Sequence, residues 1–229
     1  MNPTRRALTL AGTTIALAAS FTSLTARADD ASDAKAVVDK AAVTVATFSK
    51  DPDHASMRTL MSKAKGVLVY PQIIEGGFII GGSGGTGVLL VRDPATGSFG
   101  APAFYSMGGI SLGLLAGGQA AEVMLLINSE KALDSMLTTK VKLGAGVSAA
   151  VGPKGAGQGA TVNADIVSYS RAKGAYASMA LDGQVIDVRE SLNAVYYGKP
   201  SSPVDILIKK SVNNPGSAAL QAALKSMAK

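Results

Sequence analysis

The sequence contains no cysteine and no tryptophan, and aromatic residues make up 5% of its 229 positions. Without cysteine, the chain forms no disulfide, no thiolate metal site and no acylated lipoprotein anchor. The few aromatic rings argue against the stacking platforms on which single-stranded nucleic acids bind. One histidine and scattered carboxylates offer no cluster of metal ligands, so we predict neither a metal nor a cofactor.

The N-terminus has the parts of a cleavable export signal. Arg5 and Arg6 supply positive charge, residues 7–21 form a short apolar run, and an A-R-A triplet ending at Ala28 provides the small residues that signal peptidase needs. We predict that residues 1–28 are removed and that the protein reaches the periplasm or the medium. The arginine pair also matches a twin-arginine signal, although a Sec signal can carry such a pair as well.

Cleavage before Asp29 leaves residues 29–229, which we predict to form a single domain. The three arginines of the signal leave with it, so the formal net charge falls from +6 to +3. This charge is too low for a nucleic-acid binder, which concentrates basic residues in stripes. It is compatible with attraction to anionic lipid, which contributes about 1 kcal/mol for each well-placed cation.

Helices are predicted at both ends of this domain, with strands between them. Apolar residues recur at helical spacing over residues 37–48 and 57–64, with a break at Asp51-Pro52-Asp53. Over residues 66–159, glycines separate short apolar runs, a pattern typical of buried strands joined by tight turns. We therefore predict an α+β fold: a curved, mostly antiparallel, barrel-like β-sheet with helices from the N- and C-terminal segments packed on it.

Four local predictions complete this picture. They are a helix over residues 129–137, a strand over residues 141–151, a hairpin turn at Asp182-Gly183 after a strand over residues 175–181, and a helix that Ser202 caps and that carries Val204, Leu207, Ile208 and Val212 on one face.

Two glycine motifs resemble catalytic or nucleotide-binding sequences. G-I-S-L-G at residues 109–113 matches a nucleophile elbow, in which Ser111 would need His54 as its base. Hydrolases of that type place the histidine downstream of the serine, so we interpret the motif as a tight turn. Residues 82–87 match G-x-G-x-x-G, but a strand follows them where a dinucleotide site needs a helix. We interpret these glycines as a hairpin or as close strand packing.

Basic residues outnumber acidic ones in the second half of the chain. They form a discontinuous set of candidate contacts for anionic headgroups, for which the competing interpretation is an ordinary solvated surface. The candidates are Lys140, Lys142, Lys154, Arg171, Lys173, Lys209 and Lys210.

An ordered series of short motifs resembles the SYLF domain, also called the Ysc84 family, in its bacterial exported form. The resemblance covers residues 31–207 and explains the apparent elbow as a packing motif of the family. The motifs are A-K-G-V-L-V-Y-P at 64–71, G-G-F-I-I-G-G at 76–82, G-T-G-V-L at 85–89, A-P-A-F at 101–104, G-I-S-L-G at 109–113, G-P at 152–153, S-Y-S-R-A-K-G at 168–174, L-D-G at 181–183 and N-A-V-Y-Y-G at 193–198.

The resemblance implies binding and not catalysis. Eukaryotic relatives are known as phosphoinositide- and membrane-binding modules, some of which also engage actin, and a basic amphipathic N-terminal segment makes their membrane contact. The corresponding stretch is residues 29–65, in which the implied lipid contacts are Arg58, Lys63 and Lys65. This stretch carries as many acidic as basic residues, which departs from the basic segment of the family.

We therefore expect a non-enzymatic domain that binds anionic phospholipid at the bacterial envelope, with Lys and Arg on the phosphates and apolar side chains in the interface. The main alternative is a structural or protein-partner module of the envelope. A serine hydrolase that uses Ser111 and a lipid carrier with an internal cavity are the remaining alternatives.

Overall fold

An eight-stranded β-sheet with helices packed on it organises the computed structural model. The structure describes residues 15–77, 80–112, 117–153, 163–172 and 183–228. All pairs of the described strands are antiparallel except the one at the β6 edge, so the predicted α+β class with a mostly antiparallel sheet is confirmed.

The described α-helices are α1 (Ile15–Lys50), α2 (Ala55–Met61), α3 (Glu130–Met136), α4 (Glu190–Tyr197) and α5 (Ala218–Met227). Short 3-10 helices cover Pro52–His54 and Pro215–Ser217, and a π-helix covers Val204–Ile208. The strands are β1 (Gly66–Gly77), β2 (Ile80–Val91), β3 (Ala103–Leu112), β4 (Gly117–Ile127), β5 (Lys140–Lys142), β6 (Ala149–Val151), β7 (Ile166–Ala172) and β8 (Val185–Val188), in the spatial order β5-β8-β3-β2-β1-β4-β7-β6.

The sheet is curled, because a short connection joins its two edge strands. β5 ends at Lys142 and β6 begins at Ala149, and the backbone between these residues spans at most about 25 Å. The edges of a flat eight-stranded sheet lie about 34 Å apart. The sheet therefore bends toward closure into a half-barrel, with a concave and a convex face.

Apolar residues form two cores, one on each face of the sheet. Alternate residues of the central strands, such as Leu68, Tyr105 and Leu125, line the concave core, which α3 and the π-helix cover. The intervening residues, such as Val67 and Leu126, pack in the convex core against α1, α2, α4 and α5. This alternation follows from the two-residue period of a strand that is buried on both faces.

Helix α1 packs on the convex face through one apolar stripe. The helix ends at Lys50 because Pro52 follows, and the Asp51 side chain accepts a hydrogen bond from the Asp53 backbone N–H to start the next turn. The predicted helix and its break are therefore confirmed. The residues of the stripe with at most 1% exposure are Ala34, Val38, Ala41, Val45 and Phe48.

The predicted helix over residues 129–137 is confirmed as α3, which the Ser129 hydroxyl caps at the Ala132 backbone N–H. The predicted strand over residues 141–151 is wrong as one element. Gly144 and Gly146 adopt φ angles of 82° and 94° and turn the chain between β5 and β6.

The segment after Ser202 is a π-helix and not the predicted α-helix. Ser202 does cap it, since its hydroxyl accepts a hydrogen bond from the Asp205 backbone N–H. The wider π turn places Ile206 in the core and leaves Ile208 47% exposed, so the predicted apolar face is wrong at Ile208. The predicted strand over residues 175–181 and Asp182 of its turn lie outside the described residues.

A β-bulge in β1 between Val69 and Ile73 brings the backbone of β1 close to β2. A Cβ atom on Gly85 would lie 2.4 Å from the Gln72 carbonyl oxygen, and one on Gly87 would lie 2.4 Å from the Val69 carbonyl oxygen. Both contacts are with backbone, which has little freedom to yield. These two positions therefore require glycine.

We predict that Gly87→Ala lowers the free energy of unfolding by about 2–4 kcal/mol, because the new methyl group collides with the β1 backbone. Urea denaturation measures the effect. The matched control is Gly76→Ala in the same sheet, where a Cβ meets nothing within 4 Å and a change within about 0.5 kcal/mol is expected. Equal losses in both variants would contradict the close contact.

Asp165 connects the start of β7 to α3 and to the segment before β6. Its carboxylate accepts hydrogen bonds from the Ser129 hydroxyl at 2.6 Å, and from the Ser148 backbone N–H at 2.9 Å and hydroxyl at 2.8 Å. These bonds, that from Ser129 foremost, lower the pKa of Asp165 to about 2 because they favour the charged form.

We predict that Asp165→Asn destabilises the fold by about 1 kcal/mol at neutral pH. The folded pKa of about 2 lies below the ordinary value of 3.8, so the stabilisation by the native carboxylate is present above that value. It is lost as the pH falls through the folded pKa. Thermal unfolding at neutral pH and near pH 2 should show the difference from wild type shrinking on acidification, whereas Asp134→Asn on the exposed face of α3 should show no such trend.

Candidate functional site

Most of the described basic residues that were predicted to contact lipid are engaged with carboxylates. The Lys210 ammonium is the main reason that the pKa of Asp93 is lowered to about 2. Exposed pairs of this kind stabilise the fold little, but each carboxylate offsets the positive charge that its partner presents to an anionic surface. The pairs are Lys65–Glu130 at 2.6 Å, Lys140–Asp187 at 3.4 Å, Arg171–Glu122 at 3.3 Å, Lys209–Asp205 at 2.9 Å and Lys210–Asp93 at 2.7 Å.

The remaining candidates are distributed over several elements. Arg58, Lys63 and Lys142 have no carboxylate partner among the residues that the structure describes, while Lys154 and Lys173 lie outside them.

The end of α1 brings two of the predicted arginines to the same corner of the molecule. The Arg58 Nη1 atom donates to the Ser49 carbonyl at 3.0 Å, and the Arg171 Nε atom lies 3.6 Å from the Asp51 carboxylate.

His54 is a packing residue of the convex face. Its ring makes edge-to-face contacts with Phe48 and Tyr169, at centroid distances of 4.8 and 5.8 Å, and its Nδ1 atom lies 3.2 Å from the Asp51 carboxylate. These contacts join the end of α1 to β7. The arrangement stabilises the corner between the helix and the sheet.

Ser111 lies within β3, where its backbone pairs with Gly81 of β2. Residues 109–112 are therefore strand, and the predicted tight turn is wrong there. In the sheet, β3 is separated by three strands from β7, which carries the Tyr169 contact of His54. Ser111 and His54 thus do not form the elbow-and-base pair that a serine hydrolase needs.

Residues 82–87 lie inside β2, and the strand continues to Val91. No helix N-terminus follows the glycines, so a phosphate would find no row of free backbone N–H groups. The predicted close strand packing is confirmed at Gly85 and Gly87.

Within the described ranges, the carboxylates and the histidine form no cluster that could hold a metal ion. No helix in the same ranges combines the length and hydropathy of a membrane span.

Part of the convex face of the sheet lies open beside α1. Ile74 is 59% exposed there, and its cross-strand neighbours are Gly84 on β2 and Ala120 on β4. Gly76 and Gly82, the next pair along these strands, are also exposed. We call this surface, formed by Ile74, Gly76, Gly82, Gly84 and Ala120, the bare sheet face. Among these five residues, only Ile74 has a side chain larger than a methyl group.

Charged side chains border the bare sheet face where α1 crosses the sheet. The Thr44 hydroxyl of α1 donates to Glu122 of β4 at 2.9 Å, and the same carboxylate pairs with Arg171. This network fixes the helix against the sheet at the edge of the open surface.

A groove of about 200 Å³ lies between α1, β2 and the start of α4. The Arg189 Nη1 atom lies 3.5 Å from the Thr86 hydroxyl on the wall opposite α1. Thr86 follows Gly84 at strand spacing, so the groove is continuous with the bare sheet face. The lining residues are Asp30, Asp33, Ala36, Val37 and Lys40 of α1 together with Thr86, Arg189 and Leu192.

Sequence reasoning missed Ile74, Thr86 and Arg189. A signal for the open surface was present, because Gly82 and Gly84 follow each other at a spacing of two within a strand. Glycine at this spacing leaves one face of a strand without side chains. No local pattern pointed to Arg189, since its hydrogen-bond partner Thr86 on β2 and the α1 residues that line the same groove are distant in sequence.

The chain matches the model of the family described as "Ysc84: Las17-binding protein actin regulator" over residues 108–227, which is more than half of its length. SH3 domain-containing YSC84-like protein 1 of Bos taurus is 26% identical over 166 residues, which cover 70% of this chain and 48% of that protein. LAS seventeen-binding protein 3 of Saccharomyces cerevisiae is 28% identical over 176 residues, or 72% and 38% of the two chains.

Protein YSC84 of the same yeast is 29% identical over 146 residues, covering 61% of this chain and 31% of that protein. The chain thus spans about half or less of the length of these curated relatives. No solved structure matches it.

Proposed function

Because this chain belongs to the Ysc84 family, we propose that it is a non-catalytic module that binds a protein partner through the bare sheet face. The observation that carries the proposal is Ile74, whose side chain is 59% exposed between cross-strand neighbours that are glycine and alanine. An exposed aliphatic residue on flat backbone gives a partner a desolvated contact at low steric cost.

The charge distribution supports a protein partner over a lipid surface. Five of the candidate lipid contacts are paired with carboxylates, and mixed charges at the rim of an apolar contact are typical of protein interfaces. The family description names binding to Las17 and the regulation of actin. We propose a protein partner for the present chain as well, and use actin filaments and Las17 as the two probes of protein binding.

Anionic phospholipid is the second candidate partner. It is favoured by Arg58 and Lys63, two exposed cations near α2 that have no carboxylate partner in the described part of the chain. Attraction through these residues would weaken with added salt, because the charges are exposed to solvent.

We also propose that the protein acts outside the cytoplasm after removal of residues 1–28. Helix α1 continues through the predicted cleavage point, and Ala34 is the first buried residue among the described side chains. Cleavage would therefore leave the described core contacts of α1 in place. It would also leave Asp30 and Asp33 near the new helix N-terminus, where negative charge is favourable.

We predict that the protein sediments with actin filaments or binds Las17, and that Ile74→Asp weakens this binding at least about fivefold by placing a charge in the contact. The matched control is Val43→Asp, because Val43 is 65% exposed on α1 and lies outside the bare sheet face. Vesicles of phosphatidylglycerol and of phosphatidylcholine, at low and high salt, form the lipid arm. Failure with both proteins, or salt-sensitive binding to phosphatidylglycerol alone, would overturn the protein-partner proposal.

A separate prediction concerns export. Intact-mass measurement of the protein recovered from the envelope fraction should give the mass of residues 29–229, whereas Ala28→Arg should block processing and leave the longer form. Recovery of the unprocessed wild-type chain from the cytoplasm alone would contradict export.

A further inference from the structure

We propose that the groove beside Arg189 binds an extended segment of the partner protein, with an acidic side chain of the partner on Arg189 and a basic one on Asp30 and Asp33. This inference rests on the proposed protein-binding function and specifies the chemistry of the segment that the partner contributes.

The groove gathers charges that are unused within the fold. In the described part of the chain, Asp30, Asp33, Lys40 and Arg189 take part in no ion pair. On another side of the same helix, Lys35 is paired with a carboxylate one turn away. Two cations and two carboxylates thus face one cavity without neutralising each other. A ligand of complementary charge would satisfy them.

Arg189 projects from a fixed point of the backbone. Its N–H donates to the Phe104 carbonyl at 2.9 Å, and its own carbonyl accepts from the Asn193 N–H at 3.0 Å. The guanidinium carries five N–H donors, of which the contact to Thr86 occupies one. The others suit the two oxygens of a carboxylate, and the Thr86 hydroxyl can donate to the same group.

The shape of the groove indicates a short extended segment. Its lining includes the apolar side chains of Val37 and Leu192. Along α1, Asp33 lies about 10 Å and Asp30 about 15 Å from Lys40 at the rise of an α-helix. An extended chain covers this distance in three to four residues. The α1 wall of the groove is therefore as long as three to four extended residues, and we place the acidic and basic side chains of the occupant within that length, with small apolar residues between them.

The groove also continues a surface that the proposed partner already covers. Gly84 and Thr86 occupy consecutive positions on the same face of β2. A segment that lies along β2 over the bare sheet face reaches the groove without changing direction. The apolar contact at Ile74 and the charged contact at Arg189 would thus belong to one continuous interface.

The test uses the full chain and a fluorescent, end-blocked peptide of sequence G-E-V-A-A-K-G, with G-Q-V-A-A-Q-G as the neutral control. We expect saturable binding of the charged peptide by fluorescence anisotropy, and binding at least about tenfold weaker for the neutral one. Arg189→Gln should weaken binding of the charged peptide at least about fivefold, because it removes one charge-assisted contact. Lys35→Gln, a neutralised cation that does not line the groove, should leave binding unchanged.

Reversing the charges at residue 189 and on the peptide gives a stricter test of the groove assignment. Arg189→Glu should abolish binding of the charged peptide and restore it for G-K-V-A-A-K-G, in which lysine replaces the glutamate. Equal binding of charged and neutral peptides, or unchanged binding in Arg189→Gln, would overturn the inference. If the peptide does not bind but the Ile74-dependent binding to actin filaments or Las17 persists, only the groove assignment is overturned. If the peptide binds in a charge-dependent way but the protein binds neither actin filaments nor Las17, only the proposed partner is overturned.

Discussion

The backbone contact between the bulge of β1 and the glycines of β2 is the constraint on which the rest of the structure depends. At Gly85 and Gly87 the two strands approach too closely for any side chain. On one side of the bulge the strands carry the apolar residues that α1, α2, α4 and α5 cover. Beyond it the convex face carries glycine, alanine and Ile74 and remains open. This one packing constraint thus divides the convex face into a part that the helices cover and a part that is open to contact.

Elements with a strong period were predictable from the sequence, whereas their long-range arrangement was not. The stripe of α1 and the helix after Ser129 are both confirmed, because side-chain burial alone specifies them. The family resemblance in the short motifs was likewise confirmed by the match over residues 108–227. The pairing of β1 with β4 joins segments far apart in sequence, and local patterns carry no information about it. The same holds for the π turn at Val204–Ile208, whose period differs from that of an α-helix.

The candidate site was harder to predict, because charge partners lie far apart in the chain. Counting basic residues identified Lys210 and Arg171, but their carboxylates are Asp93 and Glu122, on segments that only the folded sheet brings near. The basic residues counted in the sequence are thus largely paired with carboxylates in the structure. Arg189 was overlooked for the converse reason: it stands alone in the sequence, and only the folded chain places it in a groove with residues of α1.

The second core places the first described helix against the last. Buried residues of α1 pack with Leu220, Leu224 and Met227 of α5, so the apolar stripe of α1 is fully covered only after α5 has been made. The ribosome makes α1 before the other described elements, so its apolar stripe stays uncovered while they are added. A nascent chain of this design keeps an apolar helix surface accessible to chaperones until α5 packs on it.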